Sequence, residues 1–97
     1  MPSYVILGKW TDQGIKSVKD TLNRSQRFRD MVQQAGGTVT TQVWTQGPYD
    51  IVGIMDLPSD ESATSVSLQL GMTGNIRTET LRAYSAEDMR QIVSKLP

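Results

Sequence analysis

The sequence predicts a single α+β domain over residues 1–97, a four-stranded antiparallel sheet with helices on one face. Three observations carry this. Two strand-like runs, Thr38 to Thr45 and Tyr49 to Leu57, meet at Gln46-Gly47-Pro48-Tyr49-Asp50 and read as a β-hairpin. A short apolar run of β-formers opens the chain, and another strand-like run lies near its end. Segments with helical spacing separate both from the hairpin, giving the order β-α-β-β-α-β-α.

Composition sets bounds before any element is placed. A chain of 97 residues favours one domain. Ten basic and ten acidic residues cancel, which argues against attraction of the whole surface to nucleic acid or to an anionic membrane. The same balance leaves little repulsion to oppose self-association. There is no Cys, so disulfides, thiolate nucleophiles and thiolate metal sites are excluded. There is no His, which removes the usual general base near neutral pH and the commonest metal ligand. No metal or cofactor is expected. No basic n-region leads into a long apolar run, and no run is long enough to span a bilayer, so a cytoplasmic protein is the expectation.

Taken in order, Tyr4-Val5-Ile6-Leu7 is apolar on both faces and reads as a central strand, continued by Gly8-Lys9-Trp10. Gly8 leaves room for close approach by another backbone or a ligand. Thr11 is a candidate N-cap, and a break is expected near Lys19 to Thr21. Beyond it Leu22, Phe28, Met31, Val32 and Ala35 share a helical face that Gly36-Gly37 ends. Thr38 to Thr45 alternates. Tyr49 to Leu57 is apolar on both faces and is again central. An even-numbered loop places Trp44 and Gln42 on one face with Tyr49, Ile51, Gly53 and Met55, and Val39, Thr41, Val43, Val52 and Ile54 on the other. The small β-branched set is expected to lie under the helices. The set with Trp44 and Tyr49 is then uncovered, and it is too apolar to be left to water. Ser59 caps the next helix, whose inward stripe is Ala63, Val66 and Leu70. Asn75 to Tyr84 is the last strand, with a bulge suggested by Ile76 and Leu81 falling on opposite faces. Ser85 caps a final helix with Asp88 reaching back, and Met89, Ile92, Val93 and Leu96 form its apolar face.

Right-handed crossovers then give a ferredoxin-like sheet of order 4-1-3-2. Stacking the uncovered faces of two copies makes a homodimer or higher homo-oligomer the expected assembly.

Gly47, Tyr49 and Asp50 after Trp44-Thr45 resemble the motif of the GYD domain family, small bacterial proteins. Thr11-Asp12-Gln13-Gly14-Ile15, Val18-Lys19-Asp20, Gly36-Gly37, and Gly71 with Gly74 through Ala83 are similar too, so the resemblance spans nearly the whole chain. It implies a ferredoxin-like fold that assembles as a dimeric α+β barrel. It implies no settled activity. Related barrels include cofactor-free monooxygenases, isomerases and plain ligand binders, and fold alone does not choose among them.

Five residues are candidates for a ligand site: Trp10, Trp44, Tyr49, Asp50 and Arg77. The two Trp rings suit walls of an apolar pocket, or a dimer core. Asp50 beside Tyr49 suits proton transfer, or Asp50 fixes the loop by accepting backbone N–H groups while Tyr49 packs across from Trp44. Arg77 suits a bidentate clamp on a carboxylate or phosphate, or an ion pair, with Asp50 as one partner. Asp50 and Arg77 are the candidates for catalysis. The basic first helical region (Lys16, Lys19, Arg24, Arg27, Arg29) reads as a solvated face, and Tyr49 to Leu57 lacks the signature of an RNA-recognition strand. The favoured function is a homo-oligomeric module for small-molecule binding or assembly. The alternative is a cofactor-free enzyme of the monooxygenase or isomerase kind, acting on a small aromatic or lactone.

Overall fold

The sheet is ferredoxin-like and antiparallel throughout, as the computed structural model of residues 1–97 places it. Its strands are β1 (Ser3–Trp10), β2 (Thr38–Trp44), β3 (Ile51–Asp56) and β4 (Ile76–Ala83), in the order β2-β3-β1-β4. The two strands that are apolar on both faces, β1 and β3, are the central pair. The helices are α1 (Asp12–Lys16), α2 (Thr21–Gln34), α3 (Asp60–Met72) and α4 (Ala86–Ser94). A 3₁₀ turn at Val18–Asp20 makes the expected break between α1 and α2. No helix is long and apolar enough to cross a membrane.

Local signals end and start these elements where the sequence puts them. The Thr11 side chain accepts the Gly14 N–H, Ser59 accepts from Ser62, and Ser85 and Asp88 form a reciprocal capping box. Gly36, at φ 89°, takes the left-handed turn after α2.

The core lies between the sheet and helices α2 and α3. Tyr4 and Ile6 from β1, Val39 from β2 and Met55 from β3 meet Phe28 and Val32 of α2 and Ala63 and Val66 of α3, with Leu57 beside them. Met55, Leu57, Val32 and Val66 are fully buried. Leu22, expected on the inward stripe of α2, is exposed, because the buried stripe begins nearly two turns later at Phe28. Tyr4 keeps a polar tip: its hydroxyl donates to Asp60 Oδ1 at 2.5 Å, and burial together with that bond pushes the phenol up to about 12.

Two expectations are corrected here. The helices cover the opposite face of the sheet from the one expected. Register pairs Tyr4 with Met55, Ile6 with Gly53, Gly8 with Ile51 and Ile51 with Trp44, so this set points towards α2 and α3. Trp44 confirms the side, since its Nε1–H donates to Thr21 Oγ1 of α2 at 3.0 Å. Side-chain size does not select the covered face. The right-handed crossover does, given the register of β1. The open face instead carries Val5, Leu7, Val43, Val52, Ile54 and Leu81. The second correction concerns the irregularity in the sheet. β4 pairs with β1 without a break from Trp10–Ile76 to Ser3–Ala83, so Ile76 and Leu81 take opposite faces by plain alternation. The register shift lies in β2, between Val39 and Thr41. It moves Val39 to the helix side, where it pairs with Met55 and is buried.

Candidate functional site

The Gly47-Pro48-Tyr49-Asp50 tip is a brace for the end of the sheet. Gly47 takes φ 92°, which turns the chain sharply after β2. Thr45 N–H then donates to the Asp50 carbonyl at 2.9 Å, and Thr45 Oγ1 donates to the Tyr49 carbonyl at 2.6 Å. Asp50 N–H donates to the Gly8 carbonyl at 2.8 Å, and its carboxylate accepts the Trp10 N–H at 2.9 Å. Asp50 thus extends the ladder by one residue ahead of Ile51, the first residue of β3, and holds the end of β1. This is the loop-fixing arrangement.

The other named residues are not gathered around Asp50. Tyr49 lies outside the strand alternation and turns to the open face, where its hydroxyl donates to Glu79 Oε2 at 3.1 Å. Lys9 Nζ sits 5.3 Å from the centre of its ring. The bond to Glu79 and the nearby negative charge raise the Tyr49 phenol above its ordinary value. Arg77 is exposed and makes no ion pair with Asp50; the ion pairs formed are Arg27–Asp20 and Arg90–Glu87. Trp44 is 41% exposed on the helix side.

Of the five candidates, only Trp10 lines the apolar cleft beneath the helices. This space of about 80 Å³ lies between the sheet and α2 and α3. Its apolar lining includes Ile6, Ile51 and Ile76 from the strands and Phe28 and Met31 from α2. Gly8 belongs to the same floor: a Cβ there would meet Ile76 Cδ1 at 2.6 Å, so the close approach signalled by that glycine is with a side chain of β4. Arg24 stands at the rim. Its Nη2 donates to the Gly14 and Ser17 carbonyls, both at 3.1 Å, and its Nη1 is buried without a partner. Sequence reasoning missed Phe28, Met31 and Ile76 as lining residues, because helical periodicity marks the first two only as core and strand alternation gives Ile76 only a face of β4.

The open face is a second surface with functional potential. Val43 is 50% exposed and Leu81 49%, and Val5, Leu7, Val52 and Ile54 are half-buried between them. Its signal in the sequence is the alternate residues of β1 and β3, but that pattern does not say which set is left uncovered.

Comparison with known proteins places this architecture. The GYD domain profile matches residues 4–93. A Thermus thermophilus protein named "Glutamine synthetase and cystathionine beta-lyase binding protein" is 27% identical over 90 residues, covering 92% of this chain and 95% of that one. The crystal structure of TTHA0845 from Thermus thermophilus superposes with a TM-score of 0.55 and 25% sequence identity, covering 89% of this chain and 96% of the other. The matched span contains all of β1 but Ser3, the Gly47-Tyr49-Asp50 brace and most of α4, and the chain belongs to the GYD domain family.

Proposed function

We propose that the chain is a homo-oligomeric binding and assembly module in which two copies pair through their open sheet faces, as in a dimeric α+β barrel. The observation that carries this reading is the apolar open face itself. Six aliphatic residues on four neighbouring strands present a surface that monomeric proteins rarely leave to water. The zero net charge adds no repulsion. The name of the Thermus thermophilus relative supports protein partners as the class of client for the assembled body. Catalysis by Asp50 and Arg77 finds less support, because the Asp50 carboxylate is engaged at the Trp10 amide and Arg77 is not beside it.

The test is solution mass across a dilution series. Wild type is expected at twice its chain mass of 10.8 kDa. Leu81→Asp is expected to return it to the monomer, since an unpaired carboxylate buried in an apolar interface is costly. A wild-type monomer at high concentration overturns the reading, as does a Leu81→Asp protein that stays dimeric.

A second reading, small-molecule binding, rests on the cleft. An apolar floor with one unpartnered guanidinium nitrogen beside it suits a small aromatic carboxylate. In a Trp44→Phe background, benzoate is expected to change Trp10 fluorescence saturably at about millimolar concentration, the range open to so small a ligand. A response that stays linear with concentration overturns this reading.

A further inference from the structure

The C-terminal helix has an apolar side with no place to go within its own chain. Met89, Ile92, Val93 and Leu96 follow the spacing of one helical face, and they are 44%, 42%, 53% and 63% exposed. No residue of α4 is buried, and the helix makes no substantial packing contact with any other element. The molecule is accordingly long, 51 × 30 × 18 Å, whereas an eight-residue strand accounts for about 26 Å. A helix of nine residues is marginal in water even with a complete capping box. Its order therefore calls for a surface to cover the stripe.

We infer that α4 is an exchanged arm: the Met89–Leu96 stripe of each copy packs against the second copy of this chain. The inference rests on the paired-sheet reading above. Interface size argues for the second copy. Four strands spaced about 4.8 Å and about seven residues long give the open face a plan area of roughly 450 Å². A standard interface takes about 800 Å² from each partner. The arm of each copy, and the ground it covers on the other, each add roughly 140 Å² for a nine-residue helix. The sheet face alone is thus small for a stable dimer, and reciprocal arms bring it close to the usual size.

Continuity argues the same way. β4 is an edge strand bordering the open face, and Leu81 and Ala83 lead from that face into the arm. The take-off is held rather than loose. The Arg82 guanidinium lies 4.7 Å from the centre of the Tyr84 ring and 5.8 Å from that of Tyr4, and it donates to the Ser3 carbonyl at 3.3 Å. The arm therefore leaves the rim of the paired faces in a set direction.

The test uses the full chain carrying Ile92→Glu and Leu96→Glu. Neither site is in the core, so circular dichroism is expected to show the sheet intact. The dissociation constant of self-association is expected to rise at least about 100-fold, from withdrawing apolar area in both copies. In a mixture of isotope-labelled and unlabelled wild-type chains, methyl groups of Ile92 and Val93 are expected to show contacts to the other copy. Unchanged self-association in the doubly substituted chain overturns the inference. So do methyl contacts confined to one copy, which would mean that α4 folds back on its own sheet. If the substitutions abolish only binding to a different protein, the arm serves that protein and the inference also fails. Leu81→Asp separates the two ideas. A dimer broken by Leu81→Asp but untouched by the arm substitutions leaves the paired sheets standing and removes the arm. A dimer that Leu81→Asp leaves intact removes the paired sheets.

Discussion

Gly14→Ala is expected to destabilise the fold by about 3 kcal/mol or more, although Ala normally gains about 1 kcal/mol over Gly inside a helix. The sign reverses because of what lies against the residue. A Cβ at position 14 would stand 1.9 Å from the Asn75 carbonyl oxygen and 2.8 Å from its carbon, and both are backbone atoms. That carbonyl cannot retreat freely. It accepts the Thr11 N–H at 3.1 Å, while Thr11 Oγ1 donates to the Gly74 carbonyl at 2.6 Å and Gln13 Nε2 donates to Asn75 Oδ1 at 2.9 Å. Relief of the clash means losing several of these bonds, each worth about 1 kcal/mol net. It also means moving the turn that delivers Ile76 to the cleft floor. Chemical denaturation checks it, and a Gly14→Ala protein as stable as wild type would show that the seam between α1 and the α3–β4 turn is loose. Gly14 lies in the Thr11-Asp12-Gln13-Gly14-Ile15 stretch that carries the family resemblance, and this contact is a physical reason for a glycine there.

The elements were legible because their signals are local. Thr11, Ser59 and Ser85 are cap residues by chemistry alone, and each caps the helix that it precedes. The strand order was legible as well, since β1 and β3 are apolar on both faces and must be the inner pair. The choice of covered face was not. Both candidate faces of the hairpin are apolar, and only the long-range pairing of β1 with β3 and β4 fixes which set meets α2 and α3. The shift near Thr40 hid Val39 in the same way, because one extra residue in β2 reverses the alternation that sequence reading extrapolates.

The site was less legible than the fold. Trp10, Trp44, Tyr49, Asp50 and Arg77 are chemically distinctive, so they draw notice in a chain without His or Cys. The structure distributes them over both sides of the sheet. Trp10 lines the cleft, Trp44 reaches Thr21 on the helix side, and Tyr49 meets Glu79 on the open face. The surfaces with most potential are aliphatic ones, the open face and the stripe of α4. Aliphatic residues in a sequence read as core, and nothing local distinguishes those that a single copy leaves exposed.

Asp50→Ala is expected to cost about 2–3 kcal/mol, and Asp50→Asn to recover most of that loss. The carboxylate accepts the Trp10 N–H at 2.9 Å, at a position where both residues are partly buried. Alanine leaves that donor without a partner, and an amide bonded to a charged group is worth about 1.5–3 kcal/mol. Asparagine keeps an oxygen acceptor of the same reach and loses only the charge. The Asp50 main-chain bonds to Gly8 and Thr45 survive in both variants, so the hairpin tip should stay formed. Damage is instead expected at the end of β1, where Trp10 enters the cleft and Thr11 begins α1. Amide exchange at Trp10 should therefore accelerate strongly in Asp50→Ala and weakly in Asp50→Asn, with unfolding midpoints in the same order. Equal loss in both variants would mean that the negative charge itself matters, which returns Asp50 to the list of candidate chemical groups. Loss in neither would leave the brace without energetic weight. The expected order makes the acidic residue of the Gly47-Tyr49-Asp50 motif an anchor for the strand that carries Trp10, and gives the motif a role in shaping the cleft from outside it.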